Sequence, residues 1–180
     1  MPKYNNRDFT KEEILEIIDI SLEIKKDLKA GVYKKQLENQ TLAMIFEKSS
    51  MRTRVSFEVA MTLLGGHSIY LTKQDINLGH RESIKDGANV LSRYVDCIAI
   101  RTYAHQTVVE LAKEASVPVI NALSDYSHPC QALADVYTIK EKRGKLNGLT
   151  VSYVGDGNNV ARSLAFLCAK VGVAFKIASP

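Results

Sequence analysis

The feature that most constrains this chain is an alternation. Short apolar, β-prone runs recur between longer stretches with helical spacing. Thr41–Phe46 is the first such run, and 68–71, 97–100 and 117–121 follow, the last despite Pro118 near its start. Between them, 52–64 is helical and closed by Gly65-Gly66. The stretch 82–94 carries Ile84, Ala88 and Leu91 on one face, 107–115 is a third helix, and 129–142 a fourth. Pro129 stands near the first position of that helix, where its missing N–H is tolerated. Apolar runs without polar alternation read as strands buried on both faces, which is the habit of parallel sheets. Parallel neighbours need crossovers, and these are right-handed. The expected fold class is therefore α/β: a four-stranded parallel sheet with helices on both faces.

Two further segments flank this unit. Near the start, Thr10-Lys11-Glu12-Glu13 has the form of a capping box. Leu15, Ile18 and Leu22 then recur at helical spacing, so the chain opens with an amphipathic helix. Toward the end, residues 141–148 (Glu-Lys-Arg-Gly-Lys-Leu-Asn-Gly) are charged and glycine-containing, and read as a domain boundary. Beyond it come a strand at Thr150–Val154, a helix over 160–171 and a strand at Ala174–Ala178. The division expected is a first domain, 1–145, followed by 146–180 as the first βαβ unit of a second, Rossmann-like domain, incomplete as it stands. A lone unit of this kind buries its own sheet faces poorly.

Bulk properties exclude several functions. Hydrophobic residues make up 46% of the 180, enough for a buried core. The net charge, 24 − 20 = +4, comes from scattered basic residues, so a nucleic-acid partner is not expected. No apolar run approaches membrane-spanning length and residues 1–6 have no signal-type apolar region, so neither a membrane partner nor export is expected. Cys97, Cys130 and Cys168 are odd in number and far apart, a poor disulfide framework, and the cytoplasm is the expected compartment. The four histidines are equally dispersed, which argues against a metal site.

Open α/β sheets bind ligands at the carboxyl ends of their strands. After the first strand comes Glu47-Lys48-Ser49-Ser50-Met51-Arg52-Thr53-Arg54, in which hydroxyls bracket a helix start and two arginines occupy its first turn. Arginine there opposes the helix dipole unless an external anion is present. The plain structural alternative is that Ser50 only caps the helix and the arginines are solvated. Arg101 ends the apolar run Cys-Ile-Ala-Ile, and a buried guanidinium needs a partner, either a bound anion or an internal ion pair. His128-Pro129-Cys130-Gln131 sets a histidine and a glutamine three residues apart at a helix entry; His128 could equally hydrogen-bond backbone. Gly155-Asp156-Gly157 follows a strand as a dinucleotide fingerprint would. However, Val160 stands at the third glycine's place and no acidic residue ends the next strand.

Ser49-Ser50-Met51-Arg52-Thr53-Arg54 resembles the S-x-R-T-R signature of the aspartate and ornithine carbamoyltransferases, and His128-Pro129-Cys130-Gln131 resembles their H-P-x-Q motif. The resemblance runs along the whole chain in the family's order and spacing; Met51 stands where threonine is usual. Gly79-His80-Arg81-Glu82-Ser83-Ile84-Lys85-Asp86 and Gly155-Asp156-Gly157-Asn158-Asn159 are similar to the ornithine branch. The resemblance implies transfer of a carbamoyl group from carbamoyl phosphate to the side-chain amine of L-ornithine, giving citrulline and phosphate, with no metal or organic cofactor.

It further implies roles for individual residues. Ser50, Met51 (through its backbone), Arg52 and Thr53 would hold the phosphate, Arg101 and His128 would polarise the carbonyl oxygen, and Gln131 would orient the carbamoyl NH₂. Asn77 would reach the phosphate site of a neighbouring chain, which implies a homotrimer with shared sites. Asn159 would contact ornithine, although Asn158 and Asn159 could simply cap the helix that follows. The family's second domain supplies an Asp, a Ser-Met pair and a Cys-Leu-Pro motif for ornithine; no Cys-Leu-Pro occurs in these 180 residues, and the one Ser-Met, Ser50-Met51, belongs to the loop after the first strand. The chain by itself is thus expected to bind carbamoyl phosphate but to be catalytically incomplete. Two alternatives stay open: a piece of an aspartate-type or other amine-specific carbamoyltransferase, and a non-catalytic chain that only binds carbamoyl phosphate.

Overall fold

A computed structural model describes residues 8–76, 78–79 and 82–180. It divides into two compact units. The first, Val32–Ser124, is built on a sheet of β1 (Thr41–Phe46), β2 (His67–Thr72), β3 (Cys97–Arg101) and β4 (Val119–Leu123). All neighbours are parallel, in the order β2-β1-β3-β4. Because successive residues of a strand point to opposite faces, the apolar runs feed two cores. Ala43, Ile45, Ile98 and Ile100 face α3 (Ile84–Leu91) and α4 (His105–Glu114), where they meet Ala88, Val108 and Leu111. Leu42, Met44, Phe46 and Ala99 face α2 (Met51–Leu63), packing with Met61 and Phe57. The sheet is thus flanked by helices on both faces, as the sequence predicts. From β1 the chain goes to β2 on one side and then crosses to β3 on the other. The switch point, where a crevice opens beyond the strand ends, therefore lies between β1 and β3.

Several boundaries differ from those read in the sequence. β4 begins at Val119 rather than 117, because Pro118 has no N–H to give the ladder, although its carbonyl still accepts from Ile98 N at 2.9 Å. Helix α4 begins at His105, two residues before the expected start, behind Ala104, which has no side chain able to cap it. Helix α3 is shorter than 82–94: Ser83 caps it through Asp86 N at 3.0 Å and it ends at Leu91. The β3–β4 register slips at the strand end, with Ile100 opposite Asn121 but Arg101 opposite Leu123. Such a bulge re-aims the side chains beside it.

The second unit comprises 8–31 and Asp125–Pro180. Its elements are α1 (Lys11–Lys29), α5 (Pro129–Arg143), β5 (Thr150–Val154), α6 (Asn159–Val171) and β6 (Ala174–Ala178). The expected capping box opens α1: Glu13 N donates to Thr10 Oγ1 at 3.2 Å and Thr10 N to Glu13 Oε2 at 2.9 Å. β5 and β6 pair in parallel as a two-stranded sheet. α6 buries Leu164, Leu167, Cys168 and Val171 against Ala132 and Val136 of α5 and Ile14 and Ile18 of α1. By packing, then, α1 and α5 group with the last βαβ unit, and the division does not follow the 145/146 boundary drawn from the sequence. The reason is apolar area. Each fully buried Leu, Ile or Val contributes roughly 1.5–3 kcal/mol, and a lone βαβ unit has no other surface against which to gain it. α5 ends at Gly144, whose left-handed backbone (φ 71) lets its N–H close on Lys140 O at 2.8 Å.

Candidate functional site

In the first unit the site grows from two strand ends. β1 runs out at Phe46 and α2 starts at Met51, so the residues between must turn back over the sheet edge. Ser50 has extended backbone (φ −161, ψ 118) and is the N-cap: its Oγ accepts from Thr53 N at 3.2 Å and donates to Thr53 Oγ1 at 3.0 Å. The first turn of α2 contains no acidic residue. A helix start normally offers unpaired N–H groups and partial positive charge, and here no side-chain carboxylate of that turn answers them.

β3 delivers Arg101 to the same place. The residue is only 9% exposed. Nε donates to Lys48 O at 3.2 Å and Nη1 reaches Thr53 Oγ1 at 3.5 Å, the long limit of a hydrogen bond. Burial pulls the guanidinium pKa down from its ordinary value, and the nearby Tyr103 opposes that shift. Starting from so high a value, the group keeps its charge. Among the described residues its side-chain hydrogen bonds go to a carbonyl and a hydroxyl, not to a carboxylate. Ser50, Thr53 and Arg101 are therefore brought together at the switch point.

The other members of the loop divide. Arg52 and Met51 are exposed, Met51 to 75%. Arg54 turns elsewhere: Nε bonds Glu58 Oε1 at 2.9 Å and the guanidinium stacks on Tyr70, 3.8 Å from the ring centre. Asn77 lies outside the described residues. Sequence reasoning did not single out Glu47, Lys48 or Thr102. Lys48 Nζ sits 5.4 Å from the centre of the Tyr103 ring, and the Thr102 hydroxyl donates to Glu47 Oε2. Nor did it single out His105, whose Nδ1 is 2.8 Å from the Oγ of fully buried Ser124.

In the second unit His128 is the N-cap residue of α5, with Pro129 at the first helical position. Its backbone N donates to Ser163 Oγ at 2.8 Å, and Ser163 is fully buried on α6. The preceding loop is gripped by Arg162, whose Nη1 donates to Tyr126 O at 2.7 Å and whose guanidinium lies 4.5 Å from the Tyr126 ring centre. Gln131 is exposed and donates through Nε2 to Asp135 Oδ1 at 2.9 Å. Asn158, not Asn159, caps α6, its Oδ1 accepting from Val160 N at 3.0 Å and Ala161 N at 3.2 Å. Asn159 is the first helical residue, half-buried. A cleft of about 490 Å³ between α5 and β5 is lined by Thr138, Lys142 and Leu149 among others, and holds none of the predicted site residues. Among the described residues no group of three His, Cys, Asp or Glu could hold a metal ion, and no helix is long and apolar enough to cross a membrane.

Fold and site together define an open α/β domain whose switch point brings a buried arginine and two hydroxyls together at a helix start. Residues 4–141 match the family model "Aspartate/ornithine carbamoyltransferase, carbamoyl-P binding domain". The ornithine carbamoyltransferase of Pyrococcus horikoshii is 56% identical over 174 residues, covering 97% of this chain and 55% of that protein. That of Anoxybacillus flavithermus is 53% identical over 173 residues, covering 96% of this chain and 55% of its own length. The solved ornithine carbamoyltransferase from Pyrococcus furiosus superposes with a TM-score of 0.96 at 54% identity, covering 99% of this chain and 57% of that one. The chain belongs to the aspartate/ornithine carbamoyltransferase family. It spans about half the length of the curated relatives it matches.

Proposed function

We propose that this chain is the carbamoyl-phosphate-binding part of an ornithine carbamoyltransferase. The reaction is attack of the ornithine side-chain amine on the carbonyl carbon of carbamoyl phosphate; a C–N bond forms, the C–O bond to phosphate breaks, and citrulline and phosphate leave. One observation carries the reading: the buried Arg101 guanidinium converges with the Ser50 and Thr53 hydroxyls at the start of a helix whose first turn has no carboxylate. That combination suits the oxygens of a phosphate and the carbonyl oxygen on which charge develops. Carbamoyl phosphate is already an activated acyl donor, so no cofactor is required.

In this reading Arg52 and the Met51 backbone add phosphate contacts, and residues 1–145 form the first-substrate domain, with 146–180 opening the ornithine-binding one. The family match ending at 141 supports that division. His128 as a second polarising group, Gln131 as the carbamoyl NH₂ contact and Asn159 as an ornithine contact rest on the motif resemblance, as do Asn77, the homotrimer and the cytoplasmic location. The names of the matched relatives favour ornithine over aspartate. In this reading the 180-residue chain binds the first substrate while forming citrulline negligibly on its own. Holding the amine in line with the carbonyl carbon is worth roughly 7–11 kcal/mol in such reactions. The test pairs a ³¹P NMR titration of the purified chain with carbamoyl phosphate and a citrulline assay with ornithine. Saturable binding without turnover is expected. No binding, or turnover at the rate of a full-length relative, overturns the reading.

A further inference from the structure

Arg101 sits where its chemistry is needed only if something fixes a long, flexible side chain near the end of a strand. The surroundings show what does. Glu47 N donates to Arg101 O at 2.9 Å and Lys48 N to the same oxygen at 3.4 Å. Arg101 Nε returns a bond to Lys48 O at 3.2 Å, so the backbone just beyond β1 holds the arginine at both its carbonyl and its guanidinium. The residue just after β3, Thr102, is fully buried; its N–H donates to Leu123 O at 3.0 Å and its hydroxyl to the Glu47 carboxylate. This link falls one residue from the slip in β3–β4 register. Glu47 is itself half-buried, and its carboxylate lies at the edge of a site read here as anion-binding. A negative charge placed there weakens anion binding unless it serves some other purpose.

We infer that Glu47 is a positioning residue: through the Thr102 hydroxyl it locks the β1 and β3 ends together and so sets the Lys48 carbonyl against which Arg101 is aimed. The inference rests on the anion-site reading above. It requires an acceptor oxygen at position 47 and a hydroxyl at 102, not a charge at 47.

The test uses the whole 180-residue chain, inorganic phosphate and carbamoyl phosphate as probes, and four variants: Glu47→Ala, Glu47→Gln, Thr102→Val and Thr102→Ser. Affinity comes from calorimetry. The aim of the guanidinium is read from the Arg101 Nε–Hε cross-peak in ¹H–¹⁵N NMR of the ligand-free chain. Glu47→Ala and Thr102→Val should weaken phosphate binding about tenfold, the scale of one hydrogen bond, and shift or broaden the Arg101 cross-peak. Glu47→Gln keeps an acceptor and Thr102→Ser keeps a donor, so both should stay within about threefold of the parent, with the cross-peak in place. If Glu47→Ala does not fold, the valine and serine variants at 102 decide alone. Two results overturn the inference. One is tighter phosphate binding by both Glu47 variants, which makes Glu47 merely an opposing charge. The other is a lowered melting temperature with affinity and cross-peak unchanged, which makes the link a strand staple. A parent chain that binds neither probe refutes the anion site instead, and the cross-peak still decides the role of Glu47.

Discussion

Replacing Arg101 by methionine separates what this side chain does for the fold from what it does for a ligand. Methionine has similar reach and no charge. In the ligand-free chain the substitution removes the bond from Nε to Lys48 O at 3.2 Å; the Thr53 contact at 3.5 Å adds little. A hydrogen bond from a charged donor contributes about 1.5–3 kcal/mol. Against this stands the desolvation penalty of the guanidinium of a residue only 9% exposed, which removal relieves. Effective desolvation penalties for buried ions run to several kcal/mol, so the two terms roughly cancel. The free variant should therefore melt close to the parent. The ligand-bound state behaves differently. Losing one partner of a buried charge pair costs about 2–5 kcal/mol, a factor of roughly 30 to several thousand in affinity. At a ligand concentration about 100 times the parent Kd, binding stabilises the parent by about 2.7 kcal/mol and the variant by less than about 0.9 kcal/mol. For a chain of this length each kcal/mol moves Tm by about 2–4 °C. Thermal melts with carbamoyl phosphate should therefore rise by about 5–11 °C for the parent and by less than about 4 °C for Arg101→Met. A variant that loses several degrees without ligand, yet keeps the full ligand-dependent rise, would falsify the assignment and make Arg101 a structural residue.

Other outcomes follow from the same structure. Burial pushes the thiols of Cys97, Cys130 and Cys168 up to about 11. At pH 8 the native chain should then react with iodoacetamide on the order of 100-fold more slowly than free cysteine, since only the thiolate attacks; three thiols reacting at the free rate in the native state would contradict this. Hydrogen exchange should be fast in β6, where Ile177 is 51% exposed and only one neighbouring strand is present, and slow in β1 and β3, which carry fully buried residues and pair on both sides. Equal protection in β6 and β3, read by mass spectrometry, would count against that ranking.

The sequence makes the core of the first unit legible because its signals are local. An uninterrupted apolar run such as Leu42 to Phe46 can hardly be anything but a doubly covered strand, and Ser50 announces a helix start by its chemistry. Arg101 stands out as a charge ending an apolar run. What could not be read depends on distant partners. The Glu47–Thr102 link joins residues 55 apart in sequence and exists only once β1 and β3 are in register. The allegiance of α1 to α6 is equally non-local: Ile14 and Ile18 form an apolar stripe that fits any helix-covered core, and nothing in the stripe names which one. The early start of α4 was hidden because Ala104 offers no capping oxygen. Arg52 and Arg54 look alike in sequence, yet Glu58 and Tyr70 draw Arg54 away.

The mutual bonding of Ser50 and Thr53 carries a kinetic consequence. The two hydroxyls and the Thr53 N–H serve one another, so the start of α2 is held by the chain's own contacts. At the proposed anion site, an incoming anion would then exchange partners within a formed turn. On that proposal, encounter would be governed by diffusion and by the positive field of Arg101 and Arg52. The association rate should fall steeply as ionic strength rises, with little change in the activation enthalpy.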